Sequence, residues 1–313
     1  MTTTELRPAA ASAEPKHPRG ARGTETKQRR LKHIITYLII VPGAILFVAP
    51  FAWLVSASFQ HVADIFSWPP QWIPQNPTWD GYVKFFTDTG ALQWFINSAF
   101  VATSVTVLQL FFNSLAAFVF AKRKFPGRDA IFVVFLATMM VPPQVTMIPN
   151  YLILQHIPFF GGNDFFGNGG HGMLDSYWGL ILPGCVSAFG IFLLRQFMQS
   201  IPDDLLDAAR IDGASEFRVY SRIMLPLCKP VLAATAIFTF MAAWEDFLWP
   251  LIILSDPNKF TAPLGLALFV QKNQTDWGLL LAGSVIATLP MVVVFIIFQR
   301  QFVQGVAMSG VKG

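Results

Sequence analysis

The sequence predicts an all-α, polytopic membrane protein with six transmembrane helices, and three observations predict it. Charge is scarce: 13% of the 313 residues are Asp, Glu, Lys or Arg, against roughly 25% in an average soluble domain. The scarcity also comes in blocks. No charged residue occurs from Ile34 to Ala63, Thr89 to Ala121, Ala130 to Asn163, Ser176 to Leu194 or Trp277 to Gln299, and Val231 to Leu254 holds only two. A spanning helix needs ~20 apolar residues. Lipid supplies no hydrogen-bond partner, so each span satisfies its own backbone as a helix. Finally, the cations alternate between segments. Residues 1–33 carry eight Lys or Arg, 122–129 four and 195–230 five, whereas 59–92 carry one and 155–176 none. Placing alternate segments in the cytoplasm puts 19 of the 22 inside, a strong positive-inside bias. Both termini are then cytoplasmic. The net charge of +4 reflects this topology, and nucleic acid is not an expected partner.

Residues 1–33 read as a disordered, basic cytoplasmic tail, and 34–299 as the membrane domain. The first span, Ile34–Ser58, is too long for a signal peptide, and no small-residue cleavage site follows it. Trp68, Trp72 and Trp79, set among Pro69, Pro70, Pro74 and Pro77, mark an external interfacial segment. The second span, Trp94–Ala121, ends at Lys122-Arg123-Lys124, and Pro126-Gly127 forms a turn. The third, Ala130–Leu154, contains Pro142, Pro143 and Pro149. Proline removes a backbone donor, so this span reads equally as a kinked packing helix or as a broken helix lining a pathway. The glycine-rich stretch Pro158–Gly172 lacks the strand and helix flanks of a phosphate cradle and reads as a flexible external insertion. Tyr177–Leu194, Pro230–Leu254 and Trp277–Gln299 complete the spans, and 300–313 is a short cytoplasmic tail. Cys185 in a span and Cys228 in a cytoplasmic loop are not an expected disulfide pair.

Residues 200–226 are polar and charged, yet they lie between two apolar spans. Ser200 suits a helix cap, and Asp203 and Asp204 in the first turn suit the positive end of the dipole. Leu205, Ala208, Ala209 and Asp212 share a face, and the two alanines let a partner approach closely. Gly213 suits a left-handed C-cap. Ser215 opens a second helix, on which Phe217, Tyr220 and Met224 form a stripe and which Pro226 ends. The segment is a helix–turn–helix across the cytoplasmic mouth.

The pattern Asp207-Ala208-Ala209, then Gly213, then Ile223-x-Leu225-Pro226 resembles the EAA loop of ABC importer permeases. Asp207 stands where the family usually has Glu, one methylene shorter in reach. Ala121–Arg128, Met140–Gln144, Ala243–Leu251 and Gln299–Gly305 with Val311-Lys312-Gly313 resemble the carbohydrate, MalG-like branch, so the likeness covers residues 30–313. It implies a MetI/MalG-like permease in the bacterial cytoplasmic (inner) membrane, moving a carbohydrate or sugar-like solute by alternating access. The implied partners are a second, MalF-like permease subunit, a dimer of ATPase subunits and an extracellular or periplasmic solute-binding protein. ATP and Mg would sit on the ATPase subunits, with no cofactor on this chain. Asp207, Ala208, Ala209 and Gly213 would couple to the ATPase, Phe217 and Tyr220 would brace that element, and Leu225 and Pro226 complete the motif.

Glu245 and Asp246 are the only acids within a span, and ionisable groups in the membrane are expensive. Carboxylates accept from sugar hydroxyls, and Trp244 can stack on a pyranose face. Trp244, Glu245 and Asp246 are therefore candidates for the substrate pathway or its gate. A hydrogen-bonded pair at a helix break is the competing reading. Asn113 and Gln144 are further candidates, with Asn97, Gln109 and Asn150; interhelical hydrogen bonding accounts equally for each. The chain has no G-x-x-x-x-G-K-[ST], no H-E-x-x-H and no C-x-x-C. Its histidines, His17, His33, His61, His156 and His171, do not cluster as metal ligands, and no enzyme activity is expected. The alternative is a secondary transporter driven by an ion gradient, which would share broken helices and buried acids but would not need the 200–226 loop.

Overall fold

The computed structural model describes residues 22–270 and 275–310. Most of the tail expected over 1–33, and residues 311–313 of the expected C-terminal tail, lie outside that range. The chain divides after Leu54 into two units. Helix α1 (Arg22–Ala57) supplies the described part of the first, and its apolar side chains, among them Leu38, Leu46 and Phe47, are exposed.

In the second unit, α2 (Val62–Ile65) and α3 (Asp80–Thr87) precede the 32-residue α4 (Ala91–Lys122). Next come α5 (Arg128–Thr138), α6 (Pro143–Gln155), α7 (Tyr177–Ile181) and α8 (Ala188–Gln199). The loop holds α9 (Asp204–Ile211) and α10 (Glu216–Val219), and a π-helical turn, Tyr220–Met224, leads through α11 (Leu225–Leu227) into α12 (Lys229–Glu245). Then follow α13 (Leu248–Ile253), a 3-10 turn at Pro257–Lys259, α14 (Ala262–Ala267) and α15 (Trp277–Gly310). Every regular element among the described residues is helical.

Thr36–Ala57, Ala91–Lys122 and Trp277–Gln299 are long and apolar enough to cross a membrane as single helices. Two further candidates are bent: α5 and α6 meet at 100°, and Glu216–Leu227 meets α12 at 79°. The described residues thus hold three to five candidate spans where the sequence predicts six, the third of them kinked or broken. The differences have local causes. The third span breaks at Pro142 and Pro143, which cannot donate to the preceding turn. The fourth breaks between α7 and α8, where Pro183 and Gly184 lie in a non-helical stretch. The fifth stops at Glu245, because Asp246 takes an extended backbone before α13.

Helix α4 is the spine of the second unit and packs mainly against α8 and α12, while α12 packs on α15 and α15 on α3. Its buried residues recur at helical spacing: Trp94, Asn97, Val101, Val105, Asn113, Ala117. The polar side chains are among them, while Phe100, Val107 and Phe111 are exposed. Lipid makes apolar exposure harmless, so polar side chains face the helix–helix interfaces. Gly190 of α8 lies against α4, and a Cβ there would run into the Asn113 amide.

The stretch Pro158–Gly172 differs from the expected flexible insertion: it is a hydrogen-bonded loop. Buried Asn163 donates from Nδ2 to the carbonyls of Gln155 (2.8 Å) and Ile157 (3.0 Å) and accepts from Gly170 N–H (2.9 Å). Asp164 Oδ1 accepts from Phe166 and Asn168 N–H, at 2.8 and 2.9 Å. Such side chains order turns by replacing backbone partners. Cys185 and Cys228 are both free and buried.

Candidate functional site

The loop between α8 and α12 folds as a lever. Ser200 does not cap its first helix; it closes α8, and Asp203 takes the N-cap position of α9. Pro202, lacking an N–H, separates the two helices. Helix α9 ends at Gly213, whose φ is 83°. Ala214 N–H donates to Ala209 O (2.9 Å) and Gly213 N–H to Arg210 O (3.0 Å), the paired bonds of a Schellman turn. A Cβ on Gly213 would meet nothing within 4 Å. The left-handed backbone, rather than space, is what calls for glycine. Ser215 occupies the N-cap position of α10 without a side-chain cap bond.

The expected stripe of Phe217, Tyr220 and Met224 is split. Phe217, on α10, is 66% exposed, while Tyr220 and Met224, at the two ends of a π-helical turn, are buried. Pro226 does not end the helix either. It lies within α11, and the bend comes at Cys228. The proline ring crowds the carbonyl four residues back, and a wider turn before it relieves that crowding.

The lever is rooted by apolar packing. Leu206, Val219, Tyr220 and Met224 cluster with Ala117 and Phe118 of α4, Leu194 and Met198 of α8 and Val231 of α12. The Tyr220 and Ser114 hydroxyls share a 2.7 Å hydrogen bond, and the Tyr220 ring lies 5.5 Å from that of Phe118. Ala209 and Leu225 pack at the edge of this cluster. Asp207, Ala208, Gly213, Phe217 and Pro226 face outward, with Asp207 accepting from Arg210 Nη1 at 2.5 Å. Leu205 and Ile211 extend this outward face, Ile211 being 87% exposed. The motif residues thus sort into an inner anchor and an outer surface.

A cavity of about 650 Å³ opens among α4, α6, α7, α8, α12 and α13, within the ~300–1,000 Å³ typical of small-molecule sites. Gln144, Asn150 and Thr146 line it from α6, Gln109 from α4, Thr239 from α12 and Asp246 from the α12–α13 break. Gln109 donates to Gly184 O (2.7 Å) and accepts from Thr239 Oγ1 (3.0 Å). Asp246 accepts from Trp249 N–H at 3.3 Å. Its carboxylate and the neighbouring amides and hydroxyls are suited to a ligand rich in hydroxyl groups. No Lys, Arg or His lines the cavity among the described residues.

The sequence-predicted pathway residues do not all converge there. Gln144 and Asp246 line the cavity. Asn113 is fully buried beside it, accepting from Ser187 N–H (3.1 Å) and donating to Gln109 Oε1 (3.4 Å), and so holds Gln109 in place. Trp244 is 4% exposed, donates to Ala287 O of α15 at 3.1 Å and stacks with Phe240, so its face is not offered to a sugar. Glu245 is exposed and not among the lining residues. Sequence reasoning missed Thr239, Thr146 and the lever's Ile211. It also took Lys122 and Arg123 for topological markers alone, although they hold the loop through Asp203 and Glu216. The matching acids at 203 and 216 were the available signal. Among the described residues no group of His, Cys, Asp or Glu is arranged to hold a metal ion.

Residues 109–308 match the family model described as binding-protein-dependent transport system inner membrane component. The chain belongs to this family. It is 34% identical over 292 residues to the arabinooligosaccharides transport system permease protein AraQ of Halalkalibacterium halodurans, covering 91% of this chain and all of that one. It is 31% identical over 280 residues to the lactose transport system permease protein LacG of Rhizobium radiobacter, covering 90% and 97%. In structure it is similar to a bacterial ABC transporter involved in the import of the acidic polysaccharide alginate, with a TM-score of 0.74 at 20% identity over 92% of this chain and all of that one. A second alginate transporter chain, solved in complex with an alginate pentasaccharide-bound periplasmic protein, matches with a TM-score of 0.63 at 14% identity over 88% and 94%. This permease is thus a multi-pass membrane subunit of an ATP-binding-cassette importer.

Proposed function

We propose that this permease is the MalG-like subunit of a neutral-carbohydrate importer in the bacterial inner membrane, with six spans and both termini in the cytoplasm. Helices α1, α4 and α15 would cross directly, and the broken spans α5–α6, α7–α8 and α12–α13 would supply the other three crossings. The subunit works beside a MalF-like permease, above an ATPase dimer that carries ATP and Mg, and beneath an external solute-binding protein. This chain holds no cofactor of its own.

One observation carries the reading: the inner anchor of the lever and the cavity share helix α4. Tyr220 holds Ser114, and Gln109, which lines the cavity, lies five residues, or ~8 Å, away along the same helix. Closure of the ATPase dimer carries the Asp207, Ala208, Gly213 and Phe217 face with it. Tyr220 passes that movement to α4, and the cavity alternates between its two openings. Gln144 and Asp246 contact the solute, and Glu245 lies beside the gate. The sugar names of the relatives and the cation-free cavity favour a neutral saccharide.

The test is reconstitution into vesicles with the two partner subunits, ATP on the lever side and a loaded binding protein on the other. Uptake of a neutral oligosaccharide that needs ATP is the expected result. Uptake by this chain alone under an ion gradient, or dependence on ATP at the opposite face, overturns it.

A further inference from the structure

The charged contacts between the lever and α4 converge on two adjacent residues at the end of that helix. Lys122 Nζ donates to Asp203 Oδ1 (2.7 Å) and to Ile201 O (2.5 Å). Arg123 forms an ion pair with Glu216. Glu216 Oε1 also accepts from Arg210 Nε (3.0 Å), and Arg210 Nη1 donates to Asp207 Oδ1 (2.5 Å). A line of alternating charge, Arg123, Glu216, Arg210, Asp207, thus runs from the end of α4 through the first residue of α10 to α9. One carboxylate, that of Glu216, ties together three elements: the spine and both helices of the lever.

Magnitudes decide what this line does. Its members are half-exposed, and exposed ion pairs contribute only ~0–1 kcal/mol each. The lever's stability instead comes from the apolar root, where Leu206, Val219 and Met224 are buried. The root holds one directional bond, Tyr220 to Ser114, and its apolar packing has no direction, so α9 and α10 can still turn about that single bond. Directional, charge-assisted bonds at the rim fix the angle.

We infer that Glu216 and Arg123 form a positioning strut that fixes the lever to α4, so that movement of the docked ATPase becomes tilt of the spine. The inference rests on the coupling role proposed for the lever and adds to it residues outside the EAA pattern. Without the strut the ATPase still docks on the outward face and still cycles, but the lever turns about the Tyr220–Ser114 bond and moves α4 only in part.

The test uses the complete reconstituted importer and measures ATP hydrolysed per solute imported. Glu216→Gln and Arg123→Gln should each raise that ratio about tenfold, within the range usual for coupling between sites, with subunit assembly and membrane insertion unchanged. Arg123→Lys, which keeps the charge, should retain most of the coupling. The double variant should be no worse than the poorer single one, because the two residues act as one unit. An unchanged ratio in Glu216→Gln, additive effects in the double variant, or loss of assembly in place of loss of coupling overturns the strut. If a bulky residue at Gly213 abolishes uptake while Glu216→Gln transports normally, the strut fails and the lever stands. If both transport normally, the lever itself fails.

Discussion

The two ends of α4 are held by opposite kinds of chemistry. At the lever end, Lys122 and Arg123 reach half-exposed or exposed carboxylates through charge. At the far end the grips are neutral and buried. Trp94 Nε1 donates to Pro257 O (2.9 Å), and Asn97 Nδ2 donates to Asn258 O and Phe260 O (2.9 Å each). Ser98 Oγ accepts from Ala262 N–H at 2.7 Å. Asn97 is 2% exposed. A buried group deprived of its partner costs ~1–3 kcal/mol, whereas the Arg123–Glu216 pair, half-exposed on both sides, exchanges with water at little cost. The far end is therefore built to stay together, and the lever end to be reset. A transport cycle needs both: one joint that passes on load and one clamp that keeps its segment against the spine.

Three substitutions sharpen or break that contrast. The largest effect belongs to the lever. Gly213→Val puts a β-branched residue at a left-handed position, a strain of about 1–3 kcal/mol, and should abolish uptake while leaving insertion unchanged; normal transport in vesicles would count against the lever. Next comes the clamp. Asn97→Ala leaves the Asn258 and Phe260 carbonyls without this partner and should lower stability by about 1–3 kcal/mol, read as the unfolding midpoint of the detergent-solubilised protein. An unchanged midpoint would mean that the 257–262 segment is held by other contacts.

The smallest effect is at Asp203. The hydrogen bond from Lys122 holds its carboxyl below the usual carboxylate range. A pKa depressed on folding contributes stability above the unfolded value, about 3.9, and that stability is lost as pH falls from there through the folded value. Wild type and Asp203→Asn should therefore differ slightly at neutral pH and converge in acid unfolding. A difference that persists below the folded pKa would assign Asp203 a role other than pairing with Lys122.

The features legible in the sequence were those governed by local rules. Gly213 announces itself because few other residues accept a positive φ, and the charge-free blocks announce helices because lipid allows little else. The hydrophobic pattern of α4 could not reveal its inner face, since Asn97, Ser98, Asn113 and Ser114 point inward and Phe111 outward. Asn97 and Asn113 read equally as pathway residues or interhelical bonds, because their backbone partners lie more than 70 positions away in the chain. Trp244 looked like a sugar platform for the same reason, its acceptor being Ala287 on another helix. The order in Pro158–Gly172 was hidden by its glycines, whereas Asn163 and Asp164, which organise it, were the informative residues.

The wide turn at Tyr220–Met224 sets a rule for tampering with this protein. Each residue of an ordinary helix advances the chain by about 100°, and a π-helical turn holds one residue more than its α counterpart. Deleting a single residue from 220–224 would let the turn tighten into regular geometry with both flanks still in register, whereas deleting one from the regular turn 216–219 would revolve what precedes it by that amount. In that second case the docking face on α9 would look sideways. In this stretch length is part of the code: amino-acid replacements there test chemistry, whereas a one-residue excision tests the gearing.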